Sequence, residues 1–411
     1  MADFRTTVCI VGAGPAGMLL GLLLARADIE VVVLEQHSDF IRDFRGDTVH
    51  PSTLEVIAEL GLSEEFERLS HQKVSTVGVV QDGKRFNIAD FNKLNVRFPY
   101  IALVPQWDFL SLLAREAQRY DNFRLLMSTQ AVGVTRDRGR ITGVRVRDRT
   151  GEFRIEAALT VAADGRHSVL RRDIAFAPKD LGCALDVVFF RIRRLETDPA
   201  EGICVRLGQG KIFGATDRGK YWQMSYETSR GGFDVLRRQG VDALRADLAR
   251  LVPFMADRVD DIRGIQDVSV LQCRIDRLRR WHVPGLLFIG DAAHAMSPVA
   301  GLGVNLAIQD AVATANILWR PIRLAQATGI EIDCATLAKV QRRRWAPTAL
   351  SQGLQRMVQR FGIDGALNGS HQPRFPEVLD RFEMLQKSMS HVIGVGFGPE
   401  HVRSPLHACA R

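Results

Sequence analysis

Three glycine-bearing segments, far apart in a chain of 411 residues, carry residue types that hold a dinucleotide. The first is Val11-Gly12-Ala13-Gly14-Pro15-Ala16-Gly17. In Gly-x-Gly-x-x-Gly spacing the first glycine permits a tight turn, the second lets a pyrophosphate approach the backbone, and the third lets a helix touch a strand. Ala16 is read as part of the same cofactor-binding turn. A helix starting at Pro15 would aim its unpaired amides at the phosphate. Glu35 ends the next apolar run, where a carboxylate accepts bonds from ribose hydroxyls. A carboxylate there repels a 2′-phosphate, so the site suits FAD or NAD better than NADP.

The second segment is Asp164-Gly165-Arg166-His167-Ser168 and the third Gly290-Asp291-Ala292-Ala293-His294. Each follows an apolar run that reads as a buried strand. A buried carboxylate at Asp291 needs hydroxyl or amide partners, which a polyol supplies; a cap on the following turn is the alternative. His294 reads as a packed, hydrogen-bonded histidine rather than a base. Gly301-Leu302-Gly303-Val304-Asn305 opens a long helix whose N-terminus favours negative charge, an ordinary glycine-rich helix start being the alternative.

These residues need elements to position them. Residues 7–11, 15–26 and 30–35 read as strand, helix and strand. Helices are expected over 51–60, capped by Ser52 or Thr53, and over 107–119. Residues 74–86 and 131–155 read as antiparallel hairpins inserted into the nucleotide fold, with a buried strand returning at 159–163. Strands at 183–193, 203–207, 211–216 and 220–227 suggest a second sheet. A strand at 286–289 and a helix at 303–319 complete the nucleotide fold. Beyond Pro321 the pattern is helical to about residue 361, and again over 376–392. The fold class is α/β: a discontinuous Rossmann-like cofactor domain (1–73, 100–180, 268–325), a second mixed or antiparallel β-sheet domain for substrate (74–99, 181–267), and C-terminal helices (326–411).

Charged residues at 25% and hydrophobic ones at 46% are close to the soluble-globular average, which excludes a disordered chain or a fibre. Residues 8–25 have the apolar character of a membrane span, but Gly12 to Pro15 would break a helix there, so no membrane span is expected. No secretory signal precedes them. Six cysteines without Cys-x-x-Cys spacing read as free thiols in a reducing cytoplasm. No His or Cys spacing suggests a metal site. The net charge of +8 comes from scattered arginines. The densest cluster, Arg342-Arg343-Arg344, is too short for a nucleic-acid tract and reads as a solvated helix face. Attraction of an anionic cofactor, substrate or lipid headgroup is its alternative, so peripheral membrane contact stays open.

In this order along the chain, Gly12-x-Gly14-x-x-Gly17, Asp164-Gly165-Arg166-His167-Ser168-x-x-Arg171 and Gly290-Asp291-Ala292-Ala293-His294-x-x-x-Pro298 resemble the motifs of the single-component, FAD-dependent aromatic hydroxylases. That family includes para-hydroxybenzoate hydroxylase and the ubiquinone-biosynthesis hydroxylases, and the likeness runs from about Thr6 to Trp345. It implies that the cofactor domain binds FAD, with Asp291 on the ribityl chain. The segment Asp164 to Arg171 would serve both FAD and a passing NADH or NADPH. Gln106 resembles a glutamine near the pyrophosphate, and Arg45 an arginine holding flavin phosphate, with Arg42 its rival. Pro298, Gly301 and Gly303 would border the reacting ring, and Gly303, Val304 and Asn305 would place the helix N-terminus at its pyrimidine edge.

The activity implied is monooxygenation. A nicotinamide cofactor reduces FAD, O2 adds at C4a, and the hydroperoxide delivers one oxygen atom to an electron-rich small molecule, expected to be aromatic. The resemblance leaves open the substrate, NADH against NADPH, and monomer against homodimer. Asp47, Thr48, His50 and Pro51 lie where this fold passes a loop near the flavin, although His50 could instead cap a helix. Of Tyr221 and Trp222, alternation turns only one toward substrate. Trp281 lacks the Trp-x-Trp-x-x-Pro context of flavin halogenases. A flavin-dependent reductase of the same fold and a flavin-less escort protein for prenylated GTPases are the rival readings.

Overall fold

The computed structural model describes residues 4–41, 47–183, 185–367 and 374–407. Its largest sheet has eight strands, with the central order Leu286–Phe288, Gly151–Ala162, Phe4–Val11, Val31–Leu34, Phe123–Leu126 and a short strand, His282–Val283, outside the first. The five central strands run parallel. Both faces are covered, which is why these strands read as unbroken apolar runs. Val11 stands in register with Leu34 and Ala162, and Ala162 with Phe288. The chain therefore leaves four adjacent strands at one level, at Gly12, Glu35, Ala163 and Ile289.

Helix Pro15–Arg26 has its residues from Ala16 to Ala25 buried. It lies between that sheet and helices Gln106–Ala117 and Leu302–Thr328. A helix enclosed on all sides has no solvent face to make polar, which explains the membrane-like stretch in the sequence. No described helix is long and apolar enough to cross a membrane.

The stretch that the sequence pattern divides between a hairpin and a returning strand is continuous. Gly151–Ala162 is a single strand of 12 residues, antiparallel to Arg140–Asp148 over its first half and parallel to Phe4–Val11 over its second. The stretch Glu156-Ala157-Ala158 contains no turn former, so nothing ends the strand between the two halves.

The second sheet has seven strands, in the order Ser269–Gln272, Leu185–Arg193, Tyr221–Ser229, Lys211–Asp217, Ile203–Gly208, Thr76–Gln81, Lys84–Asp90. All neighbours are antiparallel except the pair Ile203–Gly208 and Thr76–Gln81. Its edge strand Ser269–Gln272 falls inside the range the sequence assigned to the cofactor domain. One face, with Phe190, Phe213, Trp222 and Met224, is buried beneath helices Gly232–Gln239 and Asp242–Leu251. Alternation puts Phe189, Arg191, Tyr221, Gln223, Ser225 and Glu227 on the other.

Helix Leu302–Thr328 continues through Pro321, where the sequence pattern suggested a stop, because Leu318, Ile322 and Ala325 are buried on both sides of the proline. Asp333 caps the next helix, Cys334–Val358, accepting from Thr336 N at 2.7 Å. The expected helix over 376–392 is two, Phe375–Arg381 and Glu383–Gly394, broken at extended Phe382.

Candidate cofactor site

The three glycines of the first turn do different work. Gly12 has φ +101°, and a Cβ there would come within 2.4 Å of Ala163 O. A Cβ on Gly17 would stand 1.9 Å from Gly12 O, so the helix and the turn touch through the missing side chain. Gly14 has an ordinary φ of −71° and nothing within 4 Å of its Cβ position. That space belongs to a cleft of about 390 Å³ lined by Gly12, Gly14, Glu35, Gln106, Asp164 and Gly165. Helix Pro15–Arg26 presents its N-terminus with no side-chain cap and no acidic residue in the first turn. Such an end attracts an anion and offers it unpaired amides. Ala16 is buried behind this turn, 3.4 Å from where a Gly290 Cβ would be.

Two carboxylates line the cleft. Glu35 accepts from Ala13 N at 3.4 Å and His37 N at 3.0 Å. Asp164 accepts from Val169 N at 2.8 Å and Leu170 N at 3.3 Å through Oδ2, while its buried Oδ1 has no partner. Burial raises the Asp164 pKa against those bonds. An orphaned buried oxygen beside open space calls for a hydroxyl or amide donor. With an anion-receptive helix end and a backbone opening at Gly14, the cleft fits FAD.

The Gly290-Asp291 turn is held from behind. Gly290, at φ +57°, donates its N–H to Asp310 Oδ2 at 3.0 Å. His294 Nε2 lies 2.6 Å from the same oxygen, and Arg344 Nε donates to Asp310 Oδ1 at 3.0 Å. Burial alone would raise the Asp310 carboxyl; His294 and Arg344 hold it below its ordinary range. His294 is thus packed and hydrogen-bonded. Arg344 is no solvated helix face: its side chain is 1% exposed and also pairs with Glu400. Asp291 is less buried than expected, at 29% exposure, and its partner is the Arg166 guanidinium at 3.0 Å. The Asp-Gly and Gly-Asp segments therefore meet directly.

Helix Leu302–Thr328 begins at Gly301, with φ +64°, where a Cβ would come within 2.4 Å of Thr48 Oγ1. The Gly301 N–H donates to Pro298 O at 2.9 Å. At Gly303 the Cβ position is open, its nearest neighbour Met296 Cβ at 3.9 Å. Val304 is half-buried against the main core. The Asn305 side chain is engaged inside the protein: Nδ2 donates to Gly301 O at 3.2 Å, and Oδ1 accepts from His50 N at 3.0 Å and Thr53 Oγ1 at 2.7 Å. The side chain pins the helix start.

His50 sits against Gly301 and is fully buried. Its Nδ1–H donates to Ile393 O at 2.6 Å, and Nε2 has no partner. Burial pushes its pKa down to about 4, so the ring is neutral near pH 7. Helix Pro51–Glu59 starts on the His50 carbonyl, which accepts from Thr53 and Leu54; neither Ser52 nor Thr53 caps it. Arg45 and Arg42 lie outside the described residues.

Asp47 joins the two sheets. One oxygen accepts from Gln106 N at 3.3 Å, at the head of helix Gln106–Ala117, and the other from Arg218 Nη2 at 2.7 Å. Arg218 lies in the turn between strands Lys211–Asp217 and Tyr221–Ser229 of the second sheet, and its side chain is 4% exposed. Burial raises the Asp47 pKa and Arg218 opposes the rise. Trp222 turns to the helix side, donating Nε1–H to Asp198 at 2.8 Å, which leaves Tyr221 on the opposite face. No motif singles out Asp310 or Arg218, and the sequence places Arg166 in the Asp-Gly segment without pairing it to Asp291. Asp310 had a signal, a lone carboxylate in the apolar stretch Leu306–Ala315; Arg218 had none.

The family described as an FAD binding domain matches residues 5–332. The chain is 27% identical to 6-methylpretetramide 4-monooxygenase of Streptomyces rimosus, across 98% of this chain and 95% of that protein. It is also 27% identical to the FAD-dependent monooxygenase janM of Penicillium janthinellum, across 90% and 80%. The solved anhydrotetracycline hydroxylase OxyS of Streptomyces rimosus superposes with a TM-score of 0.74 at 21% identity, covering 95% of this chain and 76% of that one. PqsL of Pseudomonas aeruginosa, described as a probable FAD-dependent monooxygenase, does so with 0.74 at 22%, covering 92% and 100%. At these identities the superpositions establish a shared fold.

Proposed function

This chain belongs to the family of FAD-dependent aromatic hydroxylases, and on that premise we propose that it hydroxylates an oxygenated, multi-ring aromatic small molecule with O2 and NADH or NADPH. The observation that carries the reading is the line of strand ends, where Gly14 opens onto a cleft bounded by Glu35 and the orphaned Asp164 oxygen. The likeness to an enzyme named for 6-methylpretetramide supports a multi-ring substrate.

Gly12, Gly14, Ala16 and Gly17 would hold the FAD pyrophosphate, Glu35 the adenosine ribose, and Gln106 the phosphate side. Asp164, Gly165, Gly290 and Asp291 would meet the ribityl region, and Pro298, Gly301, Gly303 and Val304 would border the ring. When bound, FAD supplies the two-electron and oxygen chemistry. The protein contributes position and electrostatics. The uncapped N-terminus of helix Leu302–Thr328, with no acidic residue in its first turn, favours negative charge. Neutral His50 offers an acceptor there without adding charge of its own. The Arg218–Asp47 pair closes the junction between the sheets against water. The five described cysteines are free thiols, which supports a reducing compartment, the cytoplasm.

The test is oxygen uptake and product mass under 18O2, with NADH or NADPH and a panel of polycyclic phenols. One oxygen atom from O2 in the product supports the proposal. Compound-dependent NAD(P)H oxidation that yields a reduced product without oxygen uptake would make the protein a flavin reductase.

A further inference from the structure

Helix Cys334–Val358, with the wide turn Gln359–Ile363 that continues it, has its polarity reversed. On its inner side the buried residues are polar: Arg344, Thr348, Ser351, Gln352, Gln355 and Gln359. Gln352 Nε2 donates to Asp276 O at 2.8 Å and Ala295 O at 3.0 Å, and Gln355 Nε2 to Ser297 O at 2.8 Å and Val299 O at 2.9 Å. This side splints the loop that leads into Gly301.

The outer side is apolar. Trp345, Leu350, Met357 and Phe361 are between 46% and 65% exposed. Ala346, Leu350, Gly353, Met357 and Phe361 are all exposed and recur every three or four residues, so they form one stripe along the helix. Arg342, Arg356 and Arg360, also exposed, share one edge of it. No aspartate or glutamate occurs from Cys334 to Ile363, a stretch that holds Lys339 and five arginines. Arg343 and Arg344 meet Glu400, whereas the three arginines of the edge have no carboxylate partner among the described residues. A surface helix ordinarily turns its apolar stripe to the core, and an exposed stripe rimmed by charge marks a contact surface.

We propose that this side of the helix lies on an anionic lipid bilayer, with Leu350, Met357 and Phe361 entering the acyl boundary and Arg342, Arg356 and Arg360 meeting lipid phosphates. Basic residues beside a Trp-, Phe- and Leu-bearing stripe are the composition that binds such an interface. One exposed side of a helix is a ridge, which enters a fluid layer without a matching shape. A second copy of the chain fits worse, because the same helix brings no carboxylate to its arginines. Contact is peripheral, since no described helix is long and apolar enough to cross a membrane. The proposal concerns where the protein docks and stands apart from the reaction it performs.

The test is flotation of the FAD-loaded protein with vesicles of phosphatidylcholine, alone or mixed with phosphatidylglycerol. Wild type should float with the anionic vesicles and not with the neutral ones, and high salt should release most of it. Leu350→Ser with Met357→Ser, which removes apolar surface without changing charge, should lower the affinity roughly tenfold or more. Arg342→Gln, Arg356→Gln and Arg360→Gln together should lower it about a hundredfold, near fivefold per charge. Flavin content and melting temperature should match wild type in both variants, which shows that they are folded. Wild type that ignores the anionic vesicles would overturn the proposal. Binding lost in the arginine variant but intact in the serine variant would also overturn it, leaving an electrostatic surface for a soluble acidic partner. A dimer in sedimentation velocity that the serine variant dissociates would assign the stripe to a second copy instead.

Discussion

The strand ends of the parallel sheet and the face of the second sheet away from its helices are built in opposite ways. At the strand ends the groups on offer are backbone, opened by the missing side chain of Gly14 and drawn close by those of Gly12 and Gly17, and the acidic residues sit at fixed positions in register. On the second sheet the groups are the side chains of alternate residues, Tyr221, Gln223, Ser225 and Glu227 lying on the face away from the helices. A backbone site tolerates almost no change in residue type, so it is written plainly in sequence. A side-chain site is specified only by which way each strand faces, and that depends on the rest of the fold.

The sharpest way to break the comparison is inside the glycine turn. Gly17→Val places a branched side chain where Gly12 O stands and should cost at least about 4 kcal/mol, read as loss of soluble folded protein or a large drop in denaturant midpoint. Next, Arg218→Met leaves the buried Asp47 carboxylate without its partner and should destabilise by roughly 3–5 kcal/mol. Adding Asp47→Asn should recover part of that loss. No recovery in the double variant would mean that the pair does not join the two surfaces.

Asp291→Ala, at a half-exposed position, should leave folding nearly unchanged and weaken FAD binding roughly tenfold to a hundredfold, measured by flavin fluorescence. The smallest effect appears only in acid. His50 has a folded pKa of about 4 against an ordinary 6.5, so the unfolded chain binds the extra proton between those values. Its contribution is complete above pH 6.5 and is lost as pH falls toward 4. The stability difference between wild type and His50→Asn should therefore shrink as pH is lowered through that window, in urea titrations at several pH values. A constant difference would show that His50 is not held neutral by burial.

Most of the cofactor surface was legible because each of its turns follows an apolar run and contains a residue that only a turn requires. Helix Pro15–Arg26 is read from Pro15 and the apolar stretch alone. What escaped were long-range partners. Arg344 reads as part of a basic surface run, and only the packing of helix Cys334–Val358 on helix Leu302–Thr328 brings it to Asp310. Asn305 looks like a ligand-facing residue at a helix start, but its side chain meets His50 and Thr53, more than 250 residues earlier in the chain. Alternation limited Tyr221 and Trp222 to one inward residue without saying which. Asp198, which accepts the Trp222 indole N–H, comes from a loop with no periodic signal.

Gly14→Val tests the central claim most directly. Gly14 has an ordinary backbone conformation and an empty Cβ position, so the variant should melt at the wild-type temperature. The valine would fill the space where the backbone meets the pyrophosphate, so the purified protein should retain little or no flavin and take up none when FAD is added. A folded Gly14→Val protein carrying FAD at the wild-type ratio would contradict the assignment of this cleft.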